Sequence, residues 1–85
     1  MLSESISIGP YVLIVETSPG CVGYKAEVWR LNCVPQFITY DHSAAVAAMK
    51  CLDYLKNTSE YSNNTFPFQV FVDNHLKLLH IMQWP

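Results

Sequence analysis

Residues 43–57, SAAVAAMKCLDYLKN, repeat their apolar positions at the period of an α-helix, and that run constrains the fold more than any other. Ala44, Ala45, Ala48, Cys51, Leu52 and Leu55 fall on one stripe, while Val46, Lys50, Asp53 and Asn57 lie away from it. Such a stripe must be buried against another element. Its first half is alanine, and small side chains let a helix approach closely, so the pattern predicts one principal helix lying across a sheet. Asp41 and Ser43, just ahead of the run, are the residue types that cap free N–H groups in a first turn.

The sheet is written upstream. Tyr11 to Thr17 (YVLIVET) is β-branched and continuous enough for a strand buried on both faces, and Ser18-Pro19-Gly20 ends it with turn residues. From Gly23 to Asn32 the chain alternates, with Tyr24, Ala26, Val28 and Arg30 on one face and Lys25, Glu27, Trp29 and Leu31 on the other. Val34-Pro35 breaks this second run and Gln36 to Tyr40 (QFITY) forms a third, so the first half reads as a three-stranded meander. Residues 1–8 alternate Ser3, Ser5 and Ser7 with apolar or acidic neighbours, the pattern of a short edge strand or a frayed lead-in to Gly9-Pro10.

Beyond the helix, residues 57–65 (NTSEYSNNT) read as a loop, and Phe66, Phe68, Val70 and Val72 alternate as a fourth strand. Residues 75–84 fit two descriptions. As a hairpin, Asp73-Asn74 is the turn and His75 to Trp84 a fifth strand, the reading favoured here; as a helix, Asp73 is the cap and Leu76, Leu79 and Met82 the stripe. The expected architecture is therefore a single α+β domain over residues 1–85: an antiparallel sheet of four to five strands with one principal helix packed on one face.

The two cysteines that bracket the second strand invite a chemical role. Twelve steps along the chain separate Cys21 from Cys33, which at ~3.3 Å per residue is about 40 Å if extended. A disulfide requires Cα atoms within ~7 Å, so neither a bridge nor a shared metal ion is expected, and neither cysteine belongs to a C-x-x-C pair. Cys51 sits on the apolar stripe as a small buried side chain. Three free thiols suit a reducing compartment.

Asp41-His42-Ser43 contains the residue types of a hydrolase triad, but adjacent side chains diverge at a strand-to-helix junction, whereas a triad converges from separate elements. His75 and His80, five apart, fall on opposite strand faces or diverge by roughly 140° on a helix. There is no H-E-x-x-H, no glycine-rich phosphate loop and no paired carboxylates. No catalytic residue, metal or cofactor is expected. The candidate site for the rival class, a small enzyme or small-molecule-binding protein, is the neighbourhood of Cys21, Asp41 and His42.

Composition points elsewhere. Apolar residues make up 51% of the chain and charged residues 14%, against about 25% charged in typical soluble domains. A domain this small cannot bury that much apolar surface alone, which implies a homo-oligomer, a dimer most simply, or a dedicated protein partner. Trp29, Phe66, Phe68, Phe71 and Trp84 are the expected interface residues, with pairing along the edge of the strand at 66–72 as an alternative mode. A net charge of −2 with dispersed basic residues predicts no direct nucleic-acid binding. No apolar run reaches bilayer length, and the first ten residues lack the features of a signal peptide, so a cytoplasmic location is expected and the sequons at Asn57 and Asn63 are read as chance.

The order of strands and helix, with GYKAEVWRL leading to ITYDHSAAVAAMKCLDYL, resembles the small HicB-type antitoxin domain in pattern. The Pro-Gly-Cys of this chain precedes the GYKAEV strand, where that family has it after, and the helix start lacks the family's acidic pair. The resemblance implies a non-catalytic binding module and assigns no residue a role.

Overall fold

Gly9 and Pro10 set the first corner of the molecule. The computed structural model describes residues 2–18, 23–30, 34–57 and 75–84. In it β1 (Ser3–Ile8) and β2 (Tyr11–Thr17) pair antiparallel with Ile8 opposite Tyr11, leaving a two-residue loop. Gly9 takes a φ of 58°, as the first central residue of a type II′ hairpin turn requires, and proline supplies the negative φ of the second. The lead-in at residues 1–8 is thus an edge strand, and the meander has four strands.

β3 (Tyr24–Arg30) continues the sheet with Leu13 opposite Val28, and β4 (Pro35–Asp41) pairs with β3 in turn, giving the order β1-β2-β3-β4. The register shifts between Val28 and Trp29, where Pro35, which has no N–H to donate, starts the edge strand. Ser43 then caps α1 (Ala44–Lys56): its hydroxyl accepts from the Val46 N–H, and Lys56 in the last turn complements the negative end of the helix.

The core lies between α1 and one face of the sheet. Ile6, Ile8, Tyr11, Leu13, Val15, Tyr24, Ala26 and Val28 come from the strands, and Ala44, Ala47, Ala48, Cys51 and Leu55 from the helix. Full burial of each large aliphatic side chain here contributes roughly 1.5–3 kcal/mol. Val12 and Ile14 point to the other face and are only half-buried. β2 is therefore not buried on both faces, because one helical layer covers one side of a sheet and no more.

Residues 75–84 are not a fifth strand. His75–Met82 is a second helix, α2, which packs against α1 and β1. It docks through Ile81, fully buried, with Leu78 and Trp84 partly buried beside the core. Leu76, Leu79 and Met82 face outward, so the helix inserts a different stripe from the one the sequence suggests. The 78, 81, 84 spacing follows the i, i+3 period, and three large apolar side chains on one flank bury better against a preformed helix and strand than on a solvent-facing ribbon. The strand expected at residues 66–72 lies outside the described residues.

If α2 is an integral part of the core, Ile81→Ala should lower the unfolding free energy by about 2–4 kcal/mol. Leu76→Ala, at a position 78% exposed, should change it by less than about 0.5 kcal/mol. Urea titrations of the two variants compare them directly, and equal effects would mean that α2 is not docked.

Candidate functional site: the sheet face opposite the helix

Strand alternation presents a second surface, made of residues that neither helix covers among the described residues. Paired residues across the four strands fall into three rows on that face. The first is Ser7, Val12 and Trp29; the second Ser5, Ile14, Glu27 and Ile38; the third Ser3, Glu16, Lys25 and Tyr40. Each row begins with a serine on β1 and ends with a large side chain on β3 or β4. The face is therefore polar at one edge and apolar toward the other. Ile38 is 45% exposed and Tyr40 59%.

Glu27 stands at the centre of this surface and is only 8% exposed. Its carboxylate accepts from Lys25 Nζ, at 2.6 Å, and from Trp29 Nε1. Positions 25, 27 and 29 share one face of β3, so the lysine and the indole reach the carboxylate from either side along the strand. Burial pushes the Glu27 carboxyl up, but the hydrogen bonds from Lys25 and Trp29 outweigh it and hold the group below its ordinary value. Its hydrogen bond and its charge raise Lys25 in return. Both groups are ionised at neutral pH and neutralise each other within the patch. Trp29 is thereby fixed in orientation, its donor satisfied from within the same strand.

The neighbourhood of Asp41 and His42 is built for a different purpose. Gly23, with φ of 130°, lies so close to the end of β4 that a Cβ there would stand 2.6 Å from the Asp41 carbonyl oxygen. One Asp41 carboxylate oxygen accepts the Ser43 N–H at 2.9 Å and the other meets Lys50 Nζ at 3.2 Å. These contacts, the Ser43 bond first, hold the Asp41 carboxyl below its usual range. Asp41 thus ties the strand end to the helix start. His42 is exposed, and Cys21 lies outside the described residues. No group of three or more metal-ligating side chains occurs among the described residues.

Of the aromatic candidates, Trp29 belongs to the open face, whereas Trp84 lies on the covered side, with its ring centroid 5.9 Å from that of Tyr24 and 6.0 Å from that of His80. The two tryptophans do not share a surface. Phe66, Phe68 and Phe71 lie outside the described residues. Sequence reasoning set Lys25, Glu27 and Trp29 on one face of β3 but did not single out Val12, Ile14, Ile38 and Tyr40 as their neighbours. The alternation of β3 carried the signal for Glu27, since it sets 25, 27 and 29 on one side. The row partners depend on register, which only the hairpin geometry fixes.

Cys51 is fully buried in the core, and burial, with the Glu27 charge adding to it, pushes its thiol up to about 12. Native protein treated with an alkylating agent at pH 8 should leave Cys51 unmodified until denaturant is added, as peptide mass spectrometry would show. The Glu27 network makes a separate prediction about pH. A carboxyl held below its unfolded value of 4.5 adds stability above that pH, and this contribution is lost as pH falls through the depressed value. Thermal melts of the wild type should therefore decline more steeply on acidification below pH 4.5 than those of Glu27→Gln.

No protein-family model, curated protein or solved structure matches the chain.

Proposed function

We propose that the chain is a non-catalytic protein–protein interaction module, acting as a homo-oligomer, an accessory subunit or an inhibitor of a larger protein, with the open sheet face as its contact surface. The observation that carries this reading is the apolar half of that face. Val12, Ile14, Trp29, Ile38 and Tyr40 surround an ion pair that is already neutralised within the chain. A patch of this kind can be desolvated by a partner without stranding an unpaired charge, which is the usual penalty at an interface. Trp29, rigid and half-buried, suits the role of a central anchor. Asp41, by contrast, spends its carboxylate on helix capping and on Lys50, which leaves little of it for substrate chemistry. The charge-poor composition supports a protein partner over a nucleic acid, and the three cysteines support a reducing, cytoplasmic setting.

Ile14→Lys tests the reading, because it places a charge at the middle of the face opposite Glu27, where a cross-strand ion pair keeps the fold intact. Self-association, or binding to a partner captured by the wild type, should weaken about thirtyfold or more, in line with the loss of a central contact, and Trp29→Ala should behave alike. Sedimentation velocity reads the association and circular dichroism the fold. Unchanged association in both variants would overturn the assignment of this face.

A further inference from the structure

We propose that two copies of the chain join antiparallel along the free edges of β4, continuing the sheet across a two-fold axis. This rests on the interaction-module reading and names its partner as a second copy.

The two edges of the sheet differ. Among the described residues each of β1 and β4 pairs with one strand only and has a helix packed against it, α2 on β1 and α1 on β4, but β1 carries the charge of Glu4 within the strand. Natural edge strands are blunted by charges, prolines or bulges. On β4 the proline and the only charge sit at the two ends, Pro35 and Asp41, and the register shift faces β3. Gln36 to Tyr40 form an uncharged stretch, rich in β-branched and aromatic side chains, with backbone groups directed at the free side.

The stretch is complementary to itself in one direction. Centred on Ile38, an antiparallel pairing sets Ile38 opposite its own copy, Phe37 opposite Thr39, Gln36 opposite Tyr40 and Pro35 opposite Asp41. Every residue of β4 is used, and the two Asp41 carboxylates stand at opposite ends, about 20 Å apart at ~3.3 Å per residue. Parallel pairing would instead put them side by side. Ile38 and Tyr40, the two exposed apolar side chains of the strand, gain cover from the copy's Ile38 and Gln36.

The helical layer fits the same axis. α1 packs over β2, β3 and β4, and its flank toward the outer edge is marked by Lys50, bonded to Asp41, and Tyr54, stacked on Phe37 at 4.9 Å and 10°. With strands ~4.8 Å apart, two copies of α1 related by this axis lie side by side on the same face of the continued sheet, about 10 to 14 Å from each other and without collision. The Phe37–Tyr54 stacks of both copies then close over the seam.

A pair of double variants tests the register. In Gln36→Lys/Tyr40→Lys the proposed pairing sets lysine opposite lysine twice, whereas in Gln36→Lys/Tyr40→Glu it sets lysine opposite glutamate twice. Both positions are exposed, so both variants should fold, as circular dichroism checks. By sedimentation velocity over a concentration series, the wild type and the lysine–glutamate variant should dimerise, and the all-lysine variant should dimerise at least about tenfold more weakly than the lysine–glutamate one. A wild type that stays monomeric, an all-lysine variant that dimerises like the wild type, or a lysine–glutamate variant as weak as the all-lysine one would each overturn the proposal. In the last case, loss of association in Ile14→Lys would show that the open face rather than the edge makes the contact, which leaves the module reading standing.

Discussion

The close seating of the alanine-rich start of α1 on the sheet governs both faces and both edges of the molecule. Ala44, Ala47 and Ala48 bring the helix close to Tyr24, Ala26 and Val28, and the larger Cys51 and Leu55 fill the space as the helix runs on. Ser43 fixes where the helix begins, and Asp41 fixes Ser43, so the last residue of β4 sets the position of the helix over the strand it has just left. Gly23 permits this junction, because any side chain there would collide with the Asp41 carbonyl. A helix of thirteen residues placed in this way covers one sheet face and cannot reach the other.

The consequence for the uncovered face is chemical as well as geometric. A sheet face left to solvent is ordinarily polar, with charges spread along alternate positions. Here the serines of β1 follow that pattern, while β2, β3 and β4 carry Val12, Ile14, Trp29, Ile38 and Tyr40. Glu27 reconciles a buried charge with an apolar setting through two donors from its own strand. Because those donors are local, the network exists before any partner arrives. Its ordering cost is met on folding, so in the proposed interaction a partner meets a rigid indole in place of a mobile one.

The sequence made the central elements readable because each is reported by a local pattern. The helix at 43–57 shows its stripe and its caps, and the meander shows alternation bounded by proline and glycine. Failure came where the pattern was short. HLKLLHIM satisfies a strand or a helix equally, and the choice is made by α1 and β1, which offer a groove for Ile81 that no local rule contains. The serines of β1 look like a loose terminus until Ile6 and Ile8 are set opposite Leu13 and Tyr11. The open face was half legible: Lys25, Glu27 and Trp29 share a side by alternation alone. Val12, Ile14, Ile38 and Tyr40 join them only through register, which couples residues far apart in the chain.

The two edges of the sheet differ in where they carry charge. α2 folds back onto α1 and β1 and completes the helical layer over the first strand, which carries Glu4 within it. β4 runs directly into α1, and the tight Asp41 to Ser43 junction holds that helix above β3 and β4, which leaves the outer side of β4 clear among the described residues. The same junction places the strand's charge at its end, in the Asp41–Lys50 pair, and keeps it out of the middle. A strand ordered by its helix, uncharged at its centre and charged at one end has a direction, and direction is what distinguishes a specific antiparallel contact from indiscriminate edge aggregation. In the proposed dimer, the capping interaction that seats the helix is therefore also the source of the selectivity of this edge.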